Sequence, residues 1–447
     1  MKVLQFGEGN FLRAFVDYMF DVANEKGVTD AKITIVKPVK FGSIEALKAQ
    51  NCEYTLLTRG RENGKTVENA RVIRSVCDAI GAYEDFDALL ALARDPELKI
   101  IVSNTTEAGI ALSEDDRFDD CPPTSYPAKL TRLLFERYTH FAGDEDAGLY
   151  ILPCELILNN ARELEKCVYQ SAKNFNLPEK FIEWIKSSCH FCTTLVDRIV
   201  TGRDPAQSEK YGDPMLDVCE PFALWVIEER ADIRNILPFD KAGLPVVFCD
   251  DVTPYRERKV RILNGAHTST VLAAYLAGKS IVRECMQDDV ISDYMRKIVY
   301  EEIIPTLTLE KSELFSFAES VFERFNNPFI DHALLSIALN SVSKFTARLL
   351  PSFKDYYKIY GKIPRRITFS FAALAAFYLD SGKSNDSQSV IDWFEKNRDS
   401  ETLLPDLCGN IDFWGEDLNK YEGFCNQVAL DLNSIRQKGA YEAMKCI

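Results

Sequence analysis

The stretch Lys2–Arg13 has the sequence KVLQFGEGNFLR and carries the first indication of the fold. It begins as a short apolar run that predicts a β-strand, and a turn containing Gly7 and Gly9 follows. From Phe11 onward, apolar residues recur at helical spacing. A second short apolar run, Lys32–Val36, predicts another strand. Strand, turn, helix and strand form one βαβ unit of ordinary length, which predicts an α/β domain with a parallel sheet.

Strand and helix signals continue to alternate up to about residue 250. Amphipathic patterns predict helices over Glu84–Arg94 and Ala128–Tyr138. Apolar runs predict strands at Tyr54–Arg59 and Thr66–Ser75, joined by a hairpin-like turn, and further strands at Ile100–Val102, Leu149–Leu152, Trp225–Ile227 and Val246–Phe248. We expect the last two to complete a parallel-rich sheet with insertions. From Pro254 onward, long amphipathic patterns predict helices. We therefore expect a Rossmann-like N-terminal domain over residues 1–253 and a mainly α-helical C-terminal domain over residues 254–447.

Composition excludes several classes of protein. The 447 residues include 53 Lys and Arg against 68 Asp and Glu, which gives a formal net charge of −15 and excludes a basic nucleic-acid-binding surface. The longest apolar run, Ile367–Leu379, is shorter than the about 20 residues that a membrane span needs, and it predicts a buried helix. Met1–Glu8 lacks the features of a secretion signal, so we expect a cytoplasmic protein.

The cysteines and histidines give little indication of a metal site. The 13 cysteines are scattered irregularly, which favours reduced thiols. Cys189 and Cys192 have metal-ligand or redox spacing, but no second pair follows them, and buried apolar thiols are the favoured interpretation. The four histidines form no zinc-binding pattern. We therefore expect no metal ion.

The turn after the first predicted strand has the features of a dinucleotide site. Gly7 and Gly9 allow close approach of a pyrophosphate, and the helix N-terminus supplies unpaired N–H groups. Leu12 occupies the position of the usual third glycine, so an ordinary strand-to-helix turn is the alternative. The end of the second strand carries Lys37 and Lys40 and lacks the acid that binds a ribose 2′-hydroxyl. These residues alone leave NAD and NADP open.

The stretch Pro254–His267 is the most informative about chemistry. In an α-helix, Asn264 lies about 140° and His267 about 80° around from Lys259, so the three polar groups share one face. Hydride reduction of a carbonyl needs a proton donor, which a lysine can be, and hydrogen bonds to the developing oxyanion, which an asparagine can donate. The histidine can orient the substrate or tune the lysine. A solvated, basic helix start is the alternative interpretation.

The spacing of Lys259, Asn264 and His267 resembles the signature of the mannitol dehydrogenase family, the polyol-specific long-chain dehydrogenases. The resemblance covers nearly the whole chain and includes the glycine turn without a third glycine. It implies Rossmann-type binding of NAD and a catalytic role for the three residues. The positions that match the family's cofactor segments are Gly7, Gly9, Asn10, Phe11, Arg13, Thr106 and Glu107.

The resemblance also implies substrate contacts. Asn160, which follows Cys154-Glu155, matches the family's second oxyanion donor, while Asp197 and Lys344 match substrate-binding positions. Arg256 stands where the mannitol branch has Glu. We hypothesise that Arg256, or its neighbour Arg258, pairs with a carboxylate of the substrate, since guanidinium binds carboxylates bidentately. A surface arginine is the alternative.

Several stretches resemble the branch of this family that acts on keto-uronates: Leu4–Phe15, Pro153–Ile157, Thr194–Gly202 and Leu334–Asn340. The resemblance implies reversible, metal-independent reduction of D-tagaturonate to D-altronate with NADH in hexuronate catabolism. Fructuronate, or a neutral polyol such as mannitol or arabinitol, is the alternative substrate, and a dinucleotide-sensing protein is the non-enzyme alternative. The family includes monomers and small homo-oligomers. Because the net charge of −15 does not attract an anion, recognition of a uronate must be local, in a basic-lined cleft.

Overall fold

A computed structural model describes the backbone of residues 1–447 and every side chain except that of Glu107. The chain divides into two compact units, one formed by Met1–Arg59 with Val67–Val252, the other by Gly60–Thr66 with Thr253–Ile447. Apart from the hairpin tip Gly60–Thr66, the strands lie in the first unit together with helices, and the second unit is almost entirely helical. The predicted fold class is therefore confirmed.

The strands form one large sheet and two small ones. They are β1 (Lys2–Phe6), β2 (Lys32–Lys37), β3 (Tyr54–Glu62), β4 (Lys65–Ile73), β5 (Val76–Gly81), β6 (Leu98–Ser103), β7 (Tyr150–Pro153), β8 (His190–Phe191), β9 (Thr194–Asp197), β10 (Asp217–Cys219), β11 (Leu224–Glu228) and β12 (Val246–Cys249). The large sheet is parallel, in the order β5-β2-β1-β6-β7-β8. This is the strand order of a doubly wound dinucleotide-binding sheet, with the β3–β4 hairpin inserted before its third strand.

The two small sheets have the orders β10-β3-β4 and β12-β11-β9. The expectation that Trp225–Ile227 and Val246–Phe248 extend the main sheet is wrong. The short strand β8 pairs with β7 at one edge of the large sheet, whereas β11 forms an antiparallel pair with β9 and a parallel pair with β12. Both segments are strands as predicted, and Trp225 is fully buried with its ring centroid 5.7 Å from that of Phe15.

The helices of the first unit mostly flank the large sheet. They are α1 (Asn10–Leu12), α2 (Tyr18–Glu25), α3 (Glu45–Ala49), α4 (Phe86–Leu92), α5 (Tyr126–His140), α6 (Asn160–Asn174), α7 (Glu179–Ser188), α8 (Pro205–Tyr211) and α9 (Ile233–Ile236). A π-helical segment, Arg13–Asp17, joins α1 to α2. Short 3₁₀ turns lie at Glu107–Gly109 and Glu145–Ala147.

The second unit is a bundle of helices. They are α10 (Thr253–Arg258), α11 (Gly265–Leu276), α12 (Val282–Gln287), α13 (Asp289–Lys297), α14 (Lys311–Phe325), α15 (Leu334–Ile337), α16 (Ser341–Arg348), α17 (Leu350–Tyr360), α18 (Arg365–Asp380), α19 (Gln388–Asn397), α20 (Leu403–Cys408), α21 (Ile411–Trp414), α22 (Phe424–Lys438) and α23 (Ala440–Met444). Lys259–Asn264 and Ile298–Ile303 are π-helical, and Ile304–Thr306 and Leu418–Lys420 are 3₁₀ turns.

The predicted buried helix is α18, and every residue from Ile367 to Leu379 is buried in it. Both α11 and α22 pack against it, so it lies at the centre of the second unit. Among the described helices, none has the length and apolar character that a membrane crossing requires.

Arg137 ties the end of α5 to the large sheet. Its fully buried guanidinium donates hydrogen bonds to the carbonyls of Ala147 (2.5 Å), Ala93 (2.8 Å), Asp95 (2.9 Å) and Leu98 (3.1 Å). Burial lowers the pKa of this arginine from its usual value, because it disfavours the charged form. The four backbone carbonyls stabilise the cation in place of water. Three of these bonds, those to Ala147, Ala93 and Leu98, satisfy carbonyls in buried surroundings.

We expect Arg137→Met to lower the free energy of unfolding by about 3 kcal/mol, because it leaves several buried carbonyls without a donor. Chemical denaturation measures this change. The matched control is Arg94→Met, which removes a half-exposed arginine paired with Glu136 and should change stability by less than about 1 kcal/mol. Similar small losses for both variants would contradict the assignment.

Candidate active site

The turn after β1 leaves room for a ligand at the start of a helix. Gly7 has φ +129°, its N–H donates to the carbonyl of Val36 at 2.9 Å, and a Cβ there would lie 3.0 Å from the carbonyl oxygen of Asn104. Only glycine suits that position. A Cβ on Gly9 would meet no atom within 4 Å, and the helix begins at the next residue, Asn10. The exposed backbone at a helix N-terminus fits a pyrophosphate.

Arg13 lies in the π-helical segment after this turn, and its guanidinium forms hydrogen bonds within the protein. Its guanidinium donates to Asn10 Oδ1 at 2.6 Å and to the carbonyl of Met215 at 2.7 Å, and it is buried. We therefore propose that Arg13 positions the turn, in place of the predicted direct contact with the cofactor. The ring of Phe11 is partly exposed and stacks on that of Phe15 at 5.1 Å.

The segment after β6 is strained and anchored. Thr106 has φ +74° and ψ 167°, a conformation that costs a residue with a Cβ about 1–3 kcal/mol and often marks a functional site. The preceding Thr105 donates through its N–H and its hydroxyl to Glu155 Oε1, both at 2.9 Å, and Ser103 donates to Oε2 at 3.1 Å. Burial raises the pKa of this carboxyl. The side chain of Glu107 lies outside the described residues, and its role stays a prediction.

The end of β2 contains an ion pair that the sequence pattern did not indicate. Lys37 is buried, and its Nζ lies 2.7 Å from Glu84 Oε1 and 3.2 Å from the carbonyl of Val39. The hydrogen bond from this lysine lowers the pKa of Glu84, so the carboxyl is charged. A carboxylate therefore lies near the strand end where this fold binds a ribose, and it neutralises the lysine. Lys40 lies over the ring of Tyr83 at 5.2 Å.

Asn160 begins α6, and backbone groups occupy its amide. Its Nδ2 donates to the carbonyls of Pro153 (2.9 Å), Glu155 (3.1 Å) and Thr194 (3.1 Å), and its Oδ1 accepts from the N–H of Thr194. This geometry favours a positioning role, in which Asn160 holds the end of β7 against the start of β9, over the predicted donation to an oxyanion. Asp197 is buried at the end of β9, and its contact with substrate stays a prediction.

Lys259 and Asn264 belong to a π-helical segment between α10 and α11, whereas the predicted shared face rested on α-helical spacing. The N–H of Gly265 donates to the carbonyl of Val260, five residues earlier. In this wider helix, residues that are five positions apart are separated by about one turn. Lys259 and Asn264 therefore come onto the same side of the helix, closer than the α-helical angle implies. Such segments are frequent at functional sites.

His267 follows this segment within α11 and is buried. Its ring centroid lies 4.0 Å from that of Phe325 and 5.4 Å from that of His332, and its Nδ1 has no hydrogen-bond partner among the described residues. Burial, and then the surrounding positive charges, hold the pKa of His267 well below its usual value. The neutral imidazole thus has a nitrogen available to a ligand. Lys344 lies in α16 and donates to the carbonyl of Ile337 at 2.8 Å.

The two arginines predicted as alternatives for a carboxylate differ in their surroundings. Arg258 is buried, forms an ion pair with Glu313 and lies 4.4 Å from the ring centroid of Phe317. It is thus committed to the protein. Arg256 is only partly buried and makes a 3.4 Å hydrogen bond to Thr253 Oγ1. Of the two, the structure leaves Arg256 more open to a ligand.

Cys189 and Cys192 flank β8 as buried free thiols, as predicted. Burial raises the pKa of each thiol to about 12. Within the part of the chain whose side chains are described, no three His, Cys, Asp or Glu residues are arranged to hold a metal ion.

Two family models match the chain. The mannitol dehydrogenase Rossmann domain matches residues 1–239, and the mannitol dehydrogenase C-terminal domain matches residues 251–436. The chain belongs to the mannitol dehydrogenase family. The resemblance inferred from the sequence is thus confirmed, while the roles it gives to single residues stay predictions.

Relatives of this mannitol dehydrogenase family member match it over nearly its whole length. The altronate oxidoreductase of Klebsiella pneumoniae subsp. pneumoniae is 46% identical, over 99% of this chain and 96% of its own. The altronate oxidoreductases of Shigella flexneri and of Escherichia coli O7:K1 are 45% and 44% identical over the same shares.

Two solved structures of polyol dehydrogenases share the fold. Substrate-free D-sorbitol dehydrogenase is 23% identical with a TM-score of 0.82, covering 99% of this chain and 94% of that one. Pseudomonas fluorescens mannitol 2-dehydrogenase, in a ternary complex with NAD and D-mannitol, is 22% identical with a TM-score of 0.69, covering 100% and 94%.

Two carboxylates of the first unit, those of Glu84 and Glu155, were not predicted as site residues. Glu84 reaches the end of β2 from the segment after β5, 47 residues beyond Lys37, and no local pattern links them. Glu155 was noted as part of a motif, but its hydrogen bonds to Ser103 and Thr105 depend on the pairing of β6 with β7. A buried acid directly after a strand was the available signal.

Proposed function

We propose that this chain is an NAD-dependent oxidoreductase that reversibly reduces D-tagaturonate to D-altronate. The observation that carries the proposal is the match of 44–46% identity over 99% of the chain to proteins named altronate oxidoreductase. The substrate class is therefore a keto-uronate and its aldonate. A cytoplasmic location and a monomeric or small homo-oligomeric state remain predictions.

The first unit has residues that fit NAD. The backbone at Gly7, Gly9 and the helix start at Asn10 would hold the pyrophosphate, and the strained segment at Thr106 would lie along the nicotinamide, as in the family. Glu84 supplies a carboxylate that can accept a hydrogen bond from a ribose hydroxyl and repel a 2′-phosphate. This favours NAD over NADP, in line with the NAD complex of mannitol 2-dehydrogenase. When bound, NADH supplies the hydride.

The second unit provides the proton and the stabilisation of charge. Lys259 donates a proton to the alkoxide oxygen that forms when the ketone is reduced. Asn264, one turn further along the π-helical segment, donates an N–H to the same oxygen as its negative charge develops. His267 is neutral, and its buried Nδ1 is available for a hydroxyl group of the substrate. In the oxidation of altronate, Lys259 accepts the proton instead.

The absorbance of reduced nicotinamide tests the proposal. Purified protein is assayed with D-tagaturonate, D-fructuronate and D-fructose, each with NADH and with NADPH. We expect the highest kcat/KM for tagaturonate with NADH. Preference for fructuronate or fructose would move the chain to another branch of the family, and absence of turnover with every pair would favour a dinucleotide-sensing protein.

A further inference from the structure

The second unit contains a group of basic side chains around His267, here called the basic cluster: His267, His332, Lys344 and Arg348. His267 lies in α11, and Lys344 and Arg348 lie one turn apart in α16. The two helices pack closely, since a Cβ on Gly265 would lie 3.6 Å from the carbonyl oxygen of Arg348. The cluster thus lies beside the segment that carries Lys259.

The two cations of this cluster on α16 donate their hydrogen bonds to neutral groups. Arg348 Nη1 donates to Thr268 Oγ1 at 3.3 Å, and Lys344 Nζ donates to a backbone carbonyl. Burial lowers the pKa of Arg348 and of Lys344, and the positive charge of Arg348 lowers that of Lys344 further. Asp386 acts on Lys344 from a distance, but it already accepts hydrogen bonds from the Tyr378 hydroxyl at 2.5 Å and a backbone N–H.

Arg348 lacks the carboxylate partner that two other buried arginines of the same unit have. Among the described residues, no carboxylate pairs with Arg348. By contrast, Arg258 pairs with Glu313, and Arg261 pairs with Asp355. A partly buried guanidinium without a counter-charge is unfavourable unless an anion completes the site.

We infer that Arg348, assisted by Lys344, binds the terminal carboxylate of the substrate and sets the preference for a uronate over a neutral ketose. This inference rests on the proposed function. The planar guanidinium suits a carboxylate, and a carboxylate there is the missing counter-charge of the basic cluster. Arg258, proposed from the sequence as a partner of this carboxylate, is already paired with Glu313. Arg256 remains the alternative partner. The carboxylate end of the substrate is then held on the same unit as Lys259.

The test compares D-tagaturonate with D-tagatose, which has a hydroxymethyl group in place of the carboxylate. Wild-type turnover of tagaturonate is measured first, and its absence would reject the proposed function whatever the role of Arg348. For Arg348→Gln we expect kcat/KM on tagaturonate to fall about 100-fold, mainly through KM. On tagatose we expect a change within about twofold, because that substrate has no charge to pair.

Matched variants keep the outcome decisive. Arg436→Gln removes an exposed arginine paired with Asp380 and should leave both substrates unaffected. Arg348→Lys keeps the charge but not the bidentate geometry, so its kcat/KM on tagaturonate should fall about tenfold while that on tagatose stays unchanged. This variant provides the test if the glutamine variant fails to fold. Equal losses on both substrates would overturn the inference. A selective loss in Arg256→Gln with none in Arg348→Gln would assign the carboxylate to Arg256.

Discussion

Lys259→Ala is expected to lower kcat for tagaturonate reduction by about 1,000-fold while leaving NADH affinity unchanged, since general acid catalysis typically contributes that much. The lysine belongs to the second unit, whereas the glycine turn that fits the dinucleotide belongs to the first. We therefore expect the substitution to change kcat and not the dissociation constant of NADH. Steady-state turnover gives kcat, and fluorescence titration gives the dissociation constant of NADH.

A chemical rescue distinguishes loss of the proton from loss of structure. Added methylamine should restore part of the turnover of Lys259→Ala, because a free amine can occupy the vacated space and carry the proton. The matched control is Lys297→Ala, which removes a half-exposed lysine paired with Asp293 and should leave kcat unchanged. Wild-type turnover by Lys259→Ala would contradict the assignment of this lysine as the acid.

The glycine turn gives the second large effect, through a pair of variants that separates stability from cofactor binding. Gly7→Ala should lower the free energy of unfolding by about 2–3 kcal/mol, since it adds a Cβ at φ +129° and 3.0 Å from the carbonyl oxygen of Asn104. Gly9→Ala should change stability by less than about 0.5 kcal/mol, because no protein atom lies within 4 Å of the new Cβ.

The same pair differs in its effect on NADH. If a pyrophosphate approaches the backbone at Gly9, the added methyl group of Gly9→Ala should raise the dissociation constant of NADH at least about tenfold, although the protein stays folded. Denaturation and calorimetric titration of the same preparations measure both quantities. Normal NADH binding by Gly9→Ala would place the pyrophosphate elsewhere.

Local sequence patterns predicted where the strands and helices of this chain lie, but they did not predict which of these elements pair with one another. The glycine turn before Asn10 was predictable because strand, turn and helix are adjacent in sequence. Trp225–Ile227 was correctly predicted as a strand, but its apolar run does not encode which strand it pairs with. It pairs with β9, and the two-residue strand β8 forms the edge of the large sheet beside β7. Sheet membership depends on such long-range pairing.

The candidate site shows the same limit at the level of side chains. The spacing of Lys259 and Asn264 indicated a shared face, but the π-helical turn that brings them onto one side has no counterpart in α-helical periodicity. Asn160 matched a family position, yet its hydrogen bonds to Thr194 come from a strand 34 residues away. Arg348 was within reach of the sequence, in the same motif as Lys344, but its lack of a carboxylate partner is visible only in the folded unit.

Product analysis tests most directly whether this protein transfers hydride from NADH to the ketone of tagaturonate. The protein is incubated with D-tagaturonate and NADH carrying deuterium at C4 in the transferred position, and the product is examined by NMR. We predict D-altronate with deuterium on the new carbinol carbon. An unlabelled product, the epimeric aldonate, or no product from a folded protein that binds NADH would contradict the proposed reaction.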